Sequence, residues 1–333
     1  MIVLMSGGSG FLEAVPRSDT LFGAICWALR WLEGEPSLLD LLARVDAGDP
    51  PFLVSSAFPY AVAGGRRTFF LPRPLLPPAA PGRAEGASVL PKALRRIRWV
   101  SAAIFTEILA GRLDSAGLAA GVRTGLFQVE HGAVARTDES LPTPAQAEVD
   151  RNGINRLSGA VEEGLLFTSR VSTARAGGHY CLVREREPDG QARIAAAFRL
   201  LADRGIGGDS SVGRGHFEVS METGEPFNAP ADGDALVTLS LFHPSPEDLG
   251  HLAAHRDRLW YAIETRRGRL EQMYAPHRRV WKPILTCLAE GSVFPTAGKR
   301  EIYGHAPVVL EEPFRVRQNG FAFPVRMRHA LPV

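Results

Sequence analysis

The segment RGIGGDSSVGRGHFEV, Arg204 to Val219, constrains this chain more than any other. It holds five glycines, Gly205, Gly207, Gly208, Gly213 and Gly215, together with two serines and two arginines. A helix cannot run through it, because glycine at that density loses too much backbone entropy on ordering. The segment can instead lie flat and bring backbone N–H groups close to a bulky partner. Ser210, Ser211 and Arg214 add side-chain donors. An anionic, flat partner such as a nucleic-acid backbone suits such a surface. The competing reading is a flexible loop whose glycines serve turn geometry alone.

Two enzyme motifs fail on the same residues. A dinucleotide fingerprint needs G-x-G-x-x-G between a strand and a helix. Here Gly205 and Gly207 are followed by Ser210 where the third glycine belongs, and a helix pattern precedes while a strand pattern follows. A P-loop needs G-x-x-x-x-G-K-[ST]. Gly208 and Gly213 fit, but Arg214-Gly215 removes both the phosphate lysine and the magnesium hydroxyl.

At 333 residues the chain is long for one core, so two domains are expected. No apolar run reaches the length of a membrane span and no leader pattern opens the chain, which points to the cytoplasm. Cys26, Cys181 and Cys287 are widely spaced and form no C-x-x-C pair, so neither a zinc site nor a disulfide framework is expected. Net charge is only +2, which excludes a globally basic nucleic-acid coat. The positive charge is almost all arginine, since lysine occurs only at 92, 282 and 299. Arginine suits bidentate phosphate contacts and base stacking. A GC-rich coding sequence gives the same bias without any such role.

Along the chain, Met1 to Met5 reads as a short buried strand, followed by a turn containing Gly7, Gly8 and Gly10. A helix follows with Ser18 as N-cap, Asp19 in its first turn, and Leu21, Ile25, Ala28, Leu29 and Leu32 on one face. FLVSSAFPY (Phe52 to Tyr60) and RTFFL (Arg67 to Leu71) form a hairpin about Gly64-Gly65. A Pro- and Gly-rich loop leads to a predicted helix over Lys92–Leu109, whose basic start carries Lys92, Arg95, Arg96 and Arg98. That cluster is either a solvated face or a phosphate contact. Residues 121–178 read as an excursion from the main fold, a projecting hairpin with a disordered tip between about Glu130 and Val149. A strand at His179–Glu185, a helix at Gln191–Arg204 capped by Gly205, and a strand at His216–Ser220 complete a βαββαβ order. After a linker at Pro226–Asp234, a smaller, mostly β module holds the densest arginines: Arg256, Arg258, Arg266, Arg267, Arg269, Arg278 and Arg279.

Catalytic patterns are sparse. No paired carboxylates or G-x-S-x-G stand out, and Gly7-Gly8-Ser9-Gly10 is not a nucleophile elbow because Phe11 follows. A metal-independent ribonuclease needs a general base near its RNA. His179 and His216 are the best-placed candidates for such a base, and each also fits a structural role.

Several stretches taken in order carry a family resemblance: RSDTLFGAI (Arg17 to Ile25), FLVSSAFPY with LPRPL (Leu71 to Leu75), RNGINRLSG (Arg151 to Gly159), EEGLLF (Glu162 to Phe167), GIGGDSSVGRGHFE and EGSVF (Glu290 to Phe294). Together they resemble the fourth subunits of the Csm complex, the Cas-five-like members of the RAMP superfamily in type III-A CRISPR systems. The resemblance implies an α+β fold of two ferredoxin-like (RRM-type) domains. The first would span residues 1–225, with the glycine-rich loop at 205–215 and a thumb-like insertion over about 121–178. The second would span 235–333. It further implies a non-catalytic subunit, without metal or cofactor, that caps the repeat-derived 5′ handle of the crRNA in antiviral defence. Its partners would be that RNA, a large polymerase-like signalling subunit and a backbone RAMP subunit, with no membrane. The family's helix-one motif falls on Ser18 to Ile25, with Arg17 just before it where the family often has His. Its thumb motif falls on Arg151 to Arg156, with Asn152 and Asn155, and its glycine-rich loop on Gly205, Gly207, Gly208, Ser210, Ser211, Arg214 and Gly215. Arg17 and Ser18 are candidate RNA contacts with these. The basic residues Lys92, Arg95 and Arg96 join them as candidate RNA contacts. Asp209 opposes a phosphate unless it faces away. A RAMP-type metal-independent endoribonuclease that processes repeat RNA is the alternative.

Overall fold

A computed structural model of the chain describes residues 1–12, 14–77, 96–188, 190–271 and 278–328. The run Ile2–Met5 is buried residue after residue because its strand, β1 (Ile2–Ser6), lies between two antiparallel neighbours with both faces covered. The two-residue strand β2 (Phe11–Leu12) leads to α1 (Ser18–Glu33). Leu21, Ile25, Ala28 and Leu29 of α1 face the core as their spacing predicts, whereas Leu32 on the last turn is exposed. Gly34, at φ +92°, separates α1 from α2 (Glu35–Asp46).

The expected strand over FLVSSAFPY is broken into β3 (Phe52–Val54) and β4 (Phe58–Ala63). At the break the Ser55 N–H donates to Leu182 carbonyl (2.9 Å), and the Ser55 hydroxyl accepts from the Leu182 N–H (2.8 Å). Serine thus supplies both bonds a ladder would have made. β5 (Arg66–Pro72) returns through the Gly64-Gly65 turn.

The helix expected over Lys92–Leu109 is corrected. Lys92 and Arg95 lie outside the described residues. Arg96 is in an exposed turn, strand β6 (Trp99–Ser101) follows, and only α3 (Ala102–Leu109) is helical. After α4 (Ser115–Arg123), the stretch expected to be disordered forms a hairpin, β7 (Phe127–Glu130) with β8 (Ala133–Arg136). That hairpin joins β6 through a parallel pairing, and Ala133–Ala135 are buried against it. The long antiparallel pair β9 (Thr143–Ile154) and β10 (Val161–Arg175) forms the projecting thumb, whose tip lies at 155–160.

Strand β11 (Gly177–Glu185), helix α5 (Gly190–Arg204) and strand β12 (Glu218–Glu222) close the first unit. β12 starts two residues later than expected because the His216 N–H is bonded to the Ser9 hydroxyl instead of to a ladder. The main sheet runs β12-β1-β11-β4-β5-β6-β8-β7, with β3 also on β11. Helices α1 and α5 pack together, and their apolar faces join the sheet's in one core.

The rest is mostly β. Strands β13 (Ala235–Thr238), β16 (Val293–Pro295) and β19 (Pro324–Met327) make a three-stranded sheet in the order β16-β13-β19. Helix α6 (Pro246–Ala254) opens with a reciprocal Ser245–Asp248 cap. β14 (Ile263–Arg266) pairs with β15 (Leu285–Leu288), and β17 (Val308–Leu310) with β18 (Val316–Arg317). Among the described residues this half holds one α-helix, not the two of a βαββαβ unit. Val237, Leu239, Phe323 and Val325 belong to the same apolar cluster as Leu21, Ile25 and Phe198, so one core runs through both halves.

Candidate nucleic-acid interface

The glycine-rich segment folds as a narrow-necked loop between α5 and β12. The Gly205 N–H donates to the Leu201 carbonyl (2.8 Å) at φ +83°, ending the helix left-handed as expected. The neck closes where the Ile206 N–H donates to the Gly215 carbonyl (3.0 Å). A Cβ on Gly205 would lie 2.4 Å from the Arg214 carbonyl oxygen, and one on Gly215 would lie 2.1 Å from that of Ile206. Only glycine lets the two legs approach this closely. Beyond the neck the chain makes one 3-10 turn, Ser210–Val212, between left-handed Asp209 (φ +61°) and Gly213 (φ +86°). Gly207, Ser211, Val212 and Gly213 are exposed, and Gly208, Ser210 and Arg214 are half-buried. Within the turn the Val212 and Arg214 N–H groups donate to the Asp209 carbonyl and the Gly213 N–H to the Ser210 carbonyl, so the backbone left to a partner is that of Gly207 to Ser211.

The turn after β1 braces the loop from below. The Ser9 N–H donates to the His216 carbonyl (3.2 Å), the Gly215 N–H donates to the Gly10 carbonyl (2.8 Å), and Arg214 Nη1 donates to the Ser9 carbonyl (3.1 Å). A Cβ on Gly8 would fall 1.9 Å from the His216 carbonyl oxygen, so this turn also needs glycine. A cleft opens beside the brace, lined by Gly7, Gly10, Phe11, Thr173, His179 and His216. The His179 ring meets Phe11 edge-on at 5.7 Å, and burial pushes its pKa down to about 4. The sequence reads Gly7–Gly10 as a turn after β1 and not as a nucleophile elbow, with no pairing to the glycine-rich loop expected. The turn's three glycines straight after a buried strand were the available sign of close backbone approach.

The thumb meets the loop at its edge. Arg151 Nη1 pairs with Asp209 Oδ2 at 2.8 Å, so the carboxylate that would oppose a phosphate is neutralised from β9. Asn152 and Arg156 are exposed. Asn155 Oδ1 accepts from the Leu157 N–H (2.9 Å) and the Ser158 N–H (3.3 Å), which builds the thumb tip. Leu157 on that tip is 99% exposed.

Two candidates turn inward. The N-cap of α1 is Arg17, not Ser18, and it makes no side-chain cap. Ser18 is fully buried, and its hydroxyl accepts from the Leu241 N–H (3.0 Å). Arg17 donates through Nε to Glu290 Oε1 (3.0 Å), pairs through Nη2 with the other oxygen, and reaches Glu264 through Nη1 (2.8 Å). Burial alone would lower the Arg17 pKa, but hydrogen bonds and charge from Glu290 and Glu264 outweigh it and hold the pKa above its usual value. Glu290 also accepts from the Ser56 hydroxyl. Asp19, buried, is gripped by Arg266 through Nη2 (2.9 Å) and Nε (3.1 Å). Arg17 and Ser18 therefore lock the two halves together. Arg96 lies before β6, five strand spacings or about 24 Å from β12 along the sheet. The structure thus brings the glycine loop and Arg151 together, and leaves Arg17, Ser18 and Arg96 apart from them.

Among the described residues no group of three or more His, Cys, Asp or Glu side chains is placed to hold a metal ion. No helix among them is long and apolar enough to cross a membrane.

No family model matches the chain. It is 29% identical over 322 residues to the CRISPR system Cms protein Csm4 of Thermococcus onnurineus (strain NA1), covering 95% of this chain and 93% of that one. Over nearly its whole length the chain resembles Csm4. Its fold agrees with solved Csm4 structures. The Csm3-Csm4 subcomplex of the type III-A CRISPR-Cas interference complex matches at a TM-score of 0.66 with 16% identity, covering 98% of this chain and 99% of the other. The Csm1-Csm4 cassette in complex with cA4 matches at 0.58 with 22% identity, covering 98% and 97%. The α+β expectation is thereby met by a Csm4-type fold.

Proposed function

We propose that this chain is a non-catalytic RNA-binding subunit of a cytoplasmic type III-A CRISPR interference complex, capping the repeat-derived 5′ handle of the crRNA. The observation that carries this reading is the open glycine cradle at 205–215, with its one acidic residue, Asp209, neutralised by Arg151 of the thumb. Backbone N–H groups, Ser210, Ser211 and Arg214 then meet phosphates and 2′-hydroxyls without a strongly basic surface. Asn152 and Arg156 extend the contact along the thumb. Strand order β12-β1-β11-β4 about α1 and α5 supports a ferredoxin-like first domain over 1–225. We read 235–333 as a reduced second domain of that kind.

A polymerase-like large subunit and a backbone RAMP subunit flank the chain in this reading, consistent with the Csm1-Csm4 and Csm3-Csm4 structures whose fold it matches. Strand cleavage finds little support, because the half-buried His179, with its pKa pushed down to about 4, is a poor base at neutral pH. Binding of labelled handle RNA by the purified protein tests the role. The double variant Gly207→Asp with Arg214→Glu should lose binding at least tenfold without change of fold. Unchanged binding and assembly in that variant would remove the cradle from the account. A discrete cut of repeat RNA without metal, lost in His216→Ala, would replace capping by processing.

A further inference from the structure

The densest arginine run of the chain, 256 to 279, lies outside the cradle; within it Arg266 grips Asp19 and Arg258 pairs with Asp234, while Arg267 and Arg269 are exposed. β14 and β15 form a two-stranded ribbon of their own. One face looks inward: Glu264 reaches Arg17, Arg266 grips Asp19, and Leu285 and Cys287 are buried. The two-residue period of a strand puts Ile263, Thr265 and Arg267 on the opposite face, where Thr286 and the buried Leu288 stand across from Thr265 and Ile263 and Ile284 follows beyond Thr286, so the open part of this face is its Arg267 end. Ile263 is 62% exposed and Ile284 65%. At the ribbon's end Arg269 is bridged to Trp281, and the Arg267 and Arg269 guanidinium groups lie 5.7 and 5.5 Å from the centre of the Trp281 ring. Trp281 is itself 45% exposed.

An exposed apolar strip marks a contact surface but not its partner. Here charge and shape narrow the choice. The outer face combines a flat ring with flat cations, while Glu264 is turned inward against Arg17. Rings and guanidinium planes together stack on unpaired bases and neutralise their phosphates. The position fits as well. The link 7–17 is bonded at Ser9 and Gly10 to the cradle and at Arg17 to the ribbon. Arg17 lies eight chain steps on from Ser9, so these anchor points are at most about 28 Å apart.

We propose that the outer face of the β14–β15 ribbon is a second contact strip for single-stranded RNA, engaging the strand beyond the cradle. The inference rests on the RNA-capping reading of the cradle. Its test compares handle RNA alone with the same handle extended by about twelve uridines, each bound to the full chain. Arg267→Glu with Arg269→Glu should weaken binding of the extended RNA about tenfold and leave the handle alone unaffected. Trp281→Ala should act likewise, and the Lys,Lys version of the arginine pair should lose less. The arginine variant alters exposed side chains only, so it stays informative even where Trp281→Ala fails to fold. Wild-type binding of both RNAs with unchanged affinity in the arginine and Trp281 variants would overturn the strip and spare the cradle. Loss of a partner subunit from those variants with RNA binding intact would overturn it in favour of a protein dock. Failure of the wild type to bind either RNA would overturn both readings.

Discussion

The N-terminus of α1 and the glycine cradle carry the same kind of sequence signal and have opposite fates. Both are short polar motifs next to a helix end, and both hold arginine and serine. At α1 every polar group is spent inside the protein: Arg17 on Glu290 and Glu264, Ser18 on Leu241, Asp19 on Arg266. In the cradle the side chains do little of the folding. Backbone bonds and bare glycines close the neck, and the tip beyond it stays open. A motif made of side chains can disappear into the core when partners wait there. A motif made of absent side chains leaves its backbone donors for someone else.

The largest effect expected on the locked side comes from Glu290→Ala. It leaves the largely buried Arg17 with Glu264 alone and should cost about 3 kcal/mol in urea unfolding. Arg17→Met with Glu290→Leu should cost less than that single change, since the central charge pair is removed whole. An equal cost for both would mean that the network is solvent-screened and no lock.

On the cradle side, Gly215→Ala sharpens the contrast. Its Cβ would meet the Ile206 carbonyl oxygen at 2.1 Å with φ at +72°, so about 3 kcal/mol of stability and the RNA grip should go together. Gly207→Ala has open space and only the φ of +93° to bear, about 1–2 kcal/mol. Thermal unfolding of the two side by side checks whether the neck, not the tip, is structural.

Acid should loosen the cradle region. The folded His179 pKa of about 4 lies below its ordinary value of 6.5, so between those values the unfolded chain binds a proton the folded chain refuses. Stability should therefore fall as pH drops from about 6.5 to about 4, by about 2–3 kcal/mol in all. His179→Gln should flatten that slope, and a slope unchanged by the substitution would place the titrating group elsewhere.

The smallest effect is expected for Arg151→Ala. Its pair with Asp209 is partly exposed, so stability should change by about 1 kcal/mol or less. Handle affinity should fall further than that, because Asp209 then faces the phosphates uncompensated.

Much of this was legible in the chain itself. Apolar runs and turn glycines gave β1, the β4–β5 hairpin, β11, α5 and the left-handed stop at Gly205, because local periodicity and φ > 0 are read from residue type. The pairing of the cradle with the Gly7–Gly10 turn was not, since it joins segments about 200 residues apart, partly through backbone bonds and partly through Ser9 and Arg214 side chains whose partners lie far off in the chain. Nor were the partners of Arg17 and Ser18: Glu290 and Leu241 come from the other half of the chain, and a serine before a helix looks like a cap until its hydroxyl is taken by a distant N–H. The β7–β8 hairpin was missed because its pairing is settled by a parallel neighbour, β6, across an intervening pair of helices.

The most direct test is crosslink mapping of handle RNA on this chain within the assembled complex. The account predicts adducts on residues 205–215 and on the thumb near Arg151, with none on Arg17 or Ser18. Adducts at the start of α1 and a bare cradle would contradict it.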